Sequence, residues 1–426
     1  IVHIPLVLYS WREIETSTAA NADAKPYADE AGRRALDAHL KRVYGNDAYA
    51  VSTEHTFLFS ANYGMTKKMK PLVSIIIPMK DQYKLSKQCV ESIIRKTSYS
   101  KYEIIILNNR SEQHATLQWL NRVERDYKQV RVINADFEFN WSKLNNYGIE
   151  NAKGDVFVFM NNDTLVISED WLDILCDNAL RDDVGVVGPM LLYRDGSLQH
   201  AGIIVGMGGW ADHLFKEMMP VHYSSPYISP VVSRNVLAVT GACMAISRKT
   251  IEDIGVFDDE FIICGSDVEI CIRAYEHGLN NVYCANSKLY HLESKSRDSF
   301  IPEIDFKKSY ECYGIYREYG DPYYNINLDI NSVRPREGEP VNWTKVKNHL
   351  RANRFTAGMY ENLKKKITEP SAAAQSSVAE VQEIRARKVL LQDNALRINI
   401  IVPSVDIKHV FGGISTALAF FEKLTS

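Results

Sequence analysis

The 426-residue sequence has no long hydrophobic run, no paired cysteine spacing and no excess of basic residues. Its most apolar stretches, such as 72–77, are far shorter than the ~20 residues that a membrane-spanning helix needs. The seven cysteines are spread singly without a CxxC pair. This pattern is typical of reduced thiols in a cytoplasmic protein rather than of a disulfide framework. A formal net charge of −3 argues against a general nucleic-acid binder, so no nucleic-acid partner is expected.

An initiating methionine and a signal peptide are also missing. The chain begins at Ile1, which suggests a fragment, so the missing signal carries little weight. What is present is an ordinary globular composition, 46% hydrophobic and 24% charged. A chain of this length has room for two or three domains of roughly 100–200 residues each.

Strand-like and helix-like segments alternate from Pro71 onward. Short, almost wholly apolar segments at 72–77, 102–107, 130–134 and 155–160 are separated by segments with helical spacing. This alternation is typical of an α/β fold, a mostly parallel sheet covered by helices on both faces. Because such sheets bind ligands beyond the carboxyl ends of their strands, the polar residues after each strand are the candidate site.

The segments flanking this block have a different character. A helix is expected at 25–42 and a polar linker at 62–70. The end of the chain holds one strand and one helix, too little for a core, and is interpreted as a truncated domain. The predicted organisation is an N-terminal appendage at 1–66, the α/β domain at 67–330, a charged helical linker at 331–396 and the truncated α/β domain at 397–426.

Oxygen-bearing side chains follow the predicted strand at 155–160. Asn161, Asn162 and Asp163 come directly after it. Oxygen ligands suit a hard divalent cation, which is bound by one or two carboxylates together with substrate phosphates. Such a cation favours the departure of a nucleotide diphosphate. The same residue types also favour a turn without any function, and the local sequence leaves that alternative open.

A candidate general base lies in the second half of the α/β domain. Helical spacing of apolar residues starts at Val268, so Asp267 falls in the first turn of a helix, where the helix dipole stabilises a carboxylate anion. A general base must be ionised at neutral pH. Glu269 lies four residues before Arg273 and can form an ion pair within the helix, so Asp267 is the preferred base. A plain helix cap is the alternative role for Asp267.

Three further residues are weaker candidates. His291 closes a short predicted strand at 288–290 and is a candidate metal ligand, although a lone histidine is more often structural. His200 and Trp210 are candidates for the border of an acceptor cleft, and core packing explains them almost as well.

Seven segments carry a family resemblance through their order along the chain: VSIIIPMKD, EIIILNN, FMNNDT, VTGACMAI, GVFDDEF, SDVEICIR and YHLESKSR. Over about 71–328 the chain resembles inverting family 2 glycosyltransferases, and within them a bacterial rhamnosyltransferase-like branch that builds cell-surface polysaccharides. The resemblance implies a GT-A, Rossmann-like fold, a Mg²⁺ or Mn²⁺ cofactor and a single-displacement mechanism. It also implies a dTDP- or UDP-sugar donor, a glycan or lipid-linked glycan acceptor, and a cytoplasmic site of action, which includes peripheral association with the inner face of the bacterial plasma membrane.

The resemblance assigns roles by position. Asp163 stands at the family's metal and diphosphate position, His291 at its late metal-binding histidine, and Asp267 at its catalytic base. The positions predicted to bind the nucleotide sugar are Pro78, Asp81, Asn108, Asn146, Asn162 and Asp163. Weak acceptor candidates that do not rest on the resemblance are His200, Trp210, Glu269 and Arg297.

Two positions depart from the family pattern. The family usually has Asp and then a glycine turn where this chain has Asn108 and Arg110, which predicts that the glycine turn is lost. Ser266 replaces the Glu or Asn that usually starts the acidic motif. Neither change removes the proposed base or the metal carboxylate. These departures motivate an alternative function, a non-catalytic scaffold module that binds nucleotide or glycan.

The flanks of the domain resemble other transferase modules. Residues 3–12 with 25–40 resemble the tail of a preceding family 2 module, and 398–415 resemble the opening of a GT-B rhamnosyltransferase. Other transferase modules of the same polypeptide are therefore expected partners. A sugar-1-phosphate nucleotidyltransferase is disfavoured, because the first strand is followed by no glycine-rich GxGTR segment.

Overall fold

The computed structural model describes residues 26–53, 55–220, 229–292, 301–339 and 341–352. The strand-like run at 3–12, the acceptor candidate Arg297 and the truncated domain predicted at 397–426 lie outside these residues.

Four parallel strands and their crossover helices form the first half of the α/β domain. The strands lie side by side in the order β5–β4–β3–β6. The alternation of strands and helices predicted from the sequence is therefore confirmed. The elements are β3 (Val73–Met79), α3 (Tyr83–Lys96), β4 (Tyr102–Asn108), α4 (His114–Asp126), β5 (Val130–Asn134), α5 (Trp141–Asn151) and β6 (Val156–Met160).

The second half of the domain extends the same sheet with strands of both directions. β13 runs antiparallel to β6 and to β8, and β14 runs parallel to β8, so most strands of the sheet point the same way. The sheet order is β12–β14–β8–β13–β6–β3–β4–β5, with β7 paired to β14 and β9 to β8. The elements are β7 (Thr164–Val166), α6 (Trp171–Ala179), β8 (Val184–Leu192), β9 (Leu198–His200), β10 (Ile203–Val205), β11 (Ala211–His213), β12 (Arg234–Val236), β13 (Cys243–Ser247), α7 (Arg248–Ile254), α8 (Ser266–Glu276), β14 (Asn280–His291), α9 (Glu303–Cys312), α10 (Gly314–Tyr319) and α11 (Trp343–Ala352).

The central strands bury side chains on both faces of the sheet. In β3, Ile75 and Ile77 pack into one apolar cluster and Ile76 into another on the opposite face. Successive side chains of a strand point to opposite faces, so a strand covered on both sides needs apolar residues at every position. This is why the sequence shows near-continuous apolar runs rather than alternation.

β3 continues two residues past the strand-like segment predicted at 72–77. Pro78 lies inside β3, opposite Leu107 of β4. The pairing of β3 with β6 ends earlier, at Ile76. A proline is tolerated here because its missing N–H falls beyond the last residue paired with β6.

The N-terminal segment contains regular structure that packs on the α/β domain. Tyr63 and Met65 donate their backbone N–H groups to the two carboxylate oxygens of Asp177 in α6, at 2.6 and 2.7 Å. The polar linker expected at 62–70 is therefore largely a docked helix. The elements of this segment are α1 (Pro26–Tyr44), β1 (Tyr49–Ser52), β2 (Phe59–Asn62) and α2 (Met65–Met69).

Described residues that follow the expected boundary at residue 330 contact the preceding part of the chain. Phe215 donates its N–H to the carbonyl of Val333 at 2.7 Å. Val346 of α11 is buried, so the first part of the predicted linker packs against the domain. All seven cysteines are free thiols. Within the described ranges, no helix combines the length and the apolar content needed to cross a bilayer.

Candidate active site

The turn after β3 is tied to the start of α4 through Asp81. The Asp81 carboxylate accepts the N–H groups of Glu112 and Gln113, at 3.1 and 2.9 Å. Its own N–H donates to Ser111 Oγ at 2.8 Å. One oxygen of this predicted nucleotide-binding residue therefore joins the turns that follow β3 and β4.

The turn after β4 contains the family departure at Asn108. Its Nδ2 donates to Asn134 Oδ1 at 2.9 Å, and its Oδ1 accepts the N–H of Ser111 at 3.2 Å. Arg110 has a φ of 57°, the left-handed conformation that a glycine adopts freely. The expectation that the glycine turn is lost was therefore wrong. The turn is present with arginine in its place, held by hydrogen bonds from Asn109 to the carbonyls of residues 135 and 137.

Asp163 and His291 lie together at the ends of β6 and β14. His291 Nε2 is 3.3 Å from Asp163 Oδ1 and 3.4 Å from Asn161 Nδ2. Antiparallel pairing of β7 with β14 places Thr164 opposite His291, which brings these distant residues together. Asn162 anchors the turn by donating its Nδ2 to Ser86 Oγ of α3 at 2.9 Å.

The donor set at this turn fits a magnesium or manganese ion. Two atoms bound to adjacent positions of one such ion, at about 2.0–2.2 Å each, lie roughly 3 Å apart. Asp163 Oδ1 and His291 Nε2 meet that requirement. Among the described residues there is no group of three or more acidic, histidine or cysteine side chains that could hold a metal ion. Asp163 and His291 would therefore hold the ion together with water and substrate phosphates, as is usual for magnesium.

Asp267 is held in the first turn of α8 by two backbone N–H groups. Gly241 donates to Oδ2 at 2.8 Å and Val268 to Oδ1 at 2.9 Å. Burial raises the pKa of Asp267, and these hydrogen bonds oppose the rise because they stabilise the anion. Each oxygen keeps acceptor capacity for a further proton donor.

Gly241 is a site residue that the sequence did not single out. A Cβ at this position would lie 2.7 Å from a ring carbon of Trp141 and 3.2 Å from the Cβ of Asp267. The neighbouring Ala242 accepts the N–H of Asn161 through its carbonyl at 2.9 Å. The two residues before β13 therefore join the proposed base to the turn that carries Asp163.

Glu269 forms the ion pair expected from its spacing. Its carboxylate accepts from Arg273 Nε at 2.9 Å and Nη2 at 2.5 Å. Arg273 also donates to the carbonyls of Ile254 and Val256, so the pair fixes α8 against the end of α7. The predicted ion pair is therefore present, and the weak acceptor role given to Glu269 stays a prediction.

The two other acceptor candidates differ in exposure. His200 is 0% exposed, its Nδ1 lies 2.9 Å from His213 Nδ1, and burial holds its pKa well below the usual value. His200 is therefore a core residue and not part of a cleft border, which corrects that prediction. Trp210 is 38% exposed and contacts the rings of Phe306 and Tyr310, with centroids 5.2 and 6.2 Å apart.

Asn146 binds the chain that precedes α8. Its Nδ2 donates to the carbonyl of Phe257 at 2.8 Å, and its Oδ1 accepts the N–H of the same residue at 3.0 Å. A second N–H and a second lone pair remain on the amide, so the nucleotide-sugar contact of Asn146 stays a prediction.

Two segments of the chain match known protein families. Residues 74–255 match the sequence model of glycosyl transferase family 2, and residues 397–426 match that of the WsaF N-terminal domain. The chain is 37% identical over 341 residues to the uncharacterized protein y4gI of Sinorhizobium fredii. It is 36% identical over 353 residues to the O-antigen biosynthesis protein RfbC of Myxococcus xanthus.

These alignments cover 78% and 80% of this chain but only 37% and 27% of the relatives, so the chain spans about a third of their length. A crystal structure of GalNAc-T7 with UDP, GalNAc and Mn²⁺ is similar at a TM-score of 0.48 and 16% identity, over 81% of this chain and 66% of that one.

Residues 74–255 are thus similar to glycosyl transferase family 2, and the Asp163–His291 pair and Asp267 lie at or just beyond this segment. The mostly parallel sheet is the fold that the sequence predicted.

Proposed function

We propose that this chain transfers a sugar from a nucleotide-sugar donor to a growing cell-surface polysaccharide, with inversion at the anomeric carbon. Asp267 is the general base, and Asp163 and His291 hold a divalent cation. The observation that carries the proposal is the position of the Asp267 carboxylate. Two N–H groups hold it, and residues 241–242 join it to the turn that contains Asp163. A bound Mg²⁺ or Mn²⁺ would neutralise the charge that develops on the departing diphosphate.

The proton transfer follows from the position of Asp267. The acceptor hydroxyl gives its proton to a carboxylate oxygen as the hydroxyl oxygen attacks the anomeric carbon, and the bond to the diphosphate breaks on the opposite face. One displacement inverts the configuration. General-base catalysis contributes roughly 10²–10⁴-fold to the rate. The larger share comes from orientation of the substrates and from charge stabilisation of the leaving group.

The substrate class is proposed from the relatives and from the family resemblance. RfbC is named for O-antigen biosynthesis, which supports a glycan or lipid-linked glycan acceptor. The branch resemblance supports dTDP-rhamnose as the first donor to test, with UDP-sugars next. The WsaF N-terminal match supports a further transferase module on the same polypeptide. We place the activity in the cytoplasm, with peripheral association at the inner membrane face.

A scaffold module without turnover is the second candidate, and one observation favours it. The Asn108 side chain is only 7% exposed, and both of its amide atoms are already bonded to Asn134 and Ser111. Fewer polar atoms are thus left at that position to select a donor. This candidate predicts metal-dependent nucleotide binding with no sugar transfer.

The test is donor turnover across a panel of dTDP- and UDP-sugars with Mn²⁺ and a crude glycan acceptor. Wild type is compared with Asp267→Asn and with Asp253→Asn, which changes an exposed carboxylate paired with Lys249 on α7. We expect one donor to turn over in wild type and in Asp253→Asn, with a loss of about 10²–10⁴-fold in Asp267→Asn. EDTA should abolish turnover. Nucleotide binding without turnover of any donor would favour the scaffold.

A further inference from the structure

The loop that leads to the proposed base, here called the base loop (residues 255–265), is bound on one side by the start of α5. Asn146 pairs with both backbone groups of Phe257, at 2.8 and 3.0 Å. Asn140 donates its Nδ2 to the carbonyl of Asp259 at 2.7 Å. Two asparagine side chains of this segment thus bind two carbonyls and one N–H of the base loop. Asn146 is 111 residues from Phe257 in sequence, and Asn140 is 119 residues from Asp259.

The other side of the base loop is bound by α9. Asp305 is fully buried, and its carboxylate accepts the N–H groups of Ile262 at 2.8 Å, Ile263 at 2.8 Å and Cys264 at 3.1 Å. Three consecutive N–H groups that converge on one carboxylate form a strong, charge-assisted set. Lys308 adds surface ion pairs from the same helix to the acidic side chains at positions 258 and 260.

These contacts end where the helix of the base begins. Gly265 precedes α8 with a φ of 100°, and a Cβ there would meet Ser309 Oγ of α9 at 2.6 Å. The approach of α9 therefore sets the position of the first turn of α8. That first turn contains Asp267, whose Oδ2 accepts the N–H of Gly241 at 2.8 Å.

We propose that Asn146 and Asp305 are positioning residues that hold the base loop from opposite sides and thereby fix Asp267 against Gly241. The inference rests on the proposed function of Asp267. Neither residue needs to contact the substrate. Displacing a reacting group by about 1 Å can lower a rate by about 10²-fold, so loosening either clamp reduces turnover while leaving the donor site intact.

The test uses Asn146→Ala and Asp305→Asn, each with a matched control on the same helix. Asn151→Ala removes only a bond to the Tyr147 carbonyl within α5, and Glu303→Gln changes an exposed residue in the first turn of α9. We expect kcat to fall about 10- to 100-fold in the two clamp variants, with the donor KM within about threefold of wild type. Both controls should retain wild-type kcat.

A double-mutant cycle separates positioning from general stability. In the Asp267→Asn background, Asn146→Ala and Asp305→Asn should cause no further loss of kcat, because they act through the missing base. Unchanged kcat in folded clamp variants, or additive losses in the cycle, would overturn the inference.

Thermal melting checks that each variant folds. If Asp305→Asn does not fold, Lys308→Met tests the same helix through its surface ion pairs, and a kcat equal to wild type there counts against the inference. Wild type without turnover on any donor would refute the proposed function, and this inference with it. An active wild type with unaffected clamp variants would refute the inference alone.

Discussion

Replacing Gly241 with alanine tests the site at its most crowded point. The added Cβ would lie 2.7 and 2.9 Å from two ring carbons of Trp141, distances that real Cβ atoms essentially never show. Trp141 cannot yield easily, because it is buried and packs edge-on against Phe257 with centroids 5.1 Å apart. Overpacking of this kind costs about 1–3 kcal/mol of folding stability.

The same substitution should also reduce turnover. Relief of the clash moves the residue 241 N–H away from Asp267 Oδ2, a hydrogen bond of 2.8 Å to a charged group. A displacement near 1 Å lowers the rate by about 10²-fold. Turnover is measured as kcat/KM, and stability by urea unfolding. Gly314→Ala is the control, because no atom lies within 4 Å of its added Cβ. Wild-type turnover in Gly241→Ala would refute the proposal that the Gly241 N–H positions Asp267 as the base.

Three further predictions concern pH and metal. Burial raises the pKa of Asp267 above 3.8, and its neighbours Cys264 and Tyr313 remain neutral. We therefore expect kcat/KM to fall as the pH drops through that raised pKa. A kcat/KM profile that is flat from pH 8 to 4 would contradict the assignment of Asp267 as the base. His291→Ala should weaken Mn²⁺ binding at least about tenfold by isothermal titration, and equal affinity would exclude it as a ligand. Burial raises the pKa of Asp321 to about 7 in the folded chain, compared with about 3.9 in the unfolded chain. The protonated side chain therefore stabilises the fold most below pH 4, and this contribution is lost as the pH rises to 7. The stability of wild type relative to Asp321→Asn should therefore fall by up to about 4 kcal/mol between pH 4 and 8 in urea unfolding, and a constant difference would be inconsistent with that pKa.

The first half of the fold could be predicted from the sequence because its strands are buried on both faces. Runs such as 72–77 and 102–107 are apolar at nearly every position and are separated by amphipathic helices, a pattern that few other arrangements produce. The second half could be predicted less well. A buried apolar run such as that of β13 does not encode strand direction, and β9 and β10 are only three residues long.

The candidate site was predicted unevenly for a related reason. Asp163 and Asp267 stand at motif positions beside a strand end and a helix start, features visible in local sequence. The partners of Asn146 and His200, which are Phe257 and His213, could not be predicted because they depend on tertiary packing that no local pattern reports. The donor sugar, the inverting stereochemistry and the domain boundaries remain predictions.

The set of contacts that position Asp267 also has a consequence for synthesis of the chain. Asp267 depends on Gly241, the base loop depends on Asn146, and the same loop depends on Asp305 in α9. These contacts join residues that are 26, 111 and 43 positions apart in sequence, so local folding cannot complete them. While α9 is still inside the ribosome, an emerging chain lacks one clamp on the base. We therefore expect a nascent chain to remain inactive until α9 has emerged and docked.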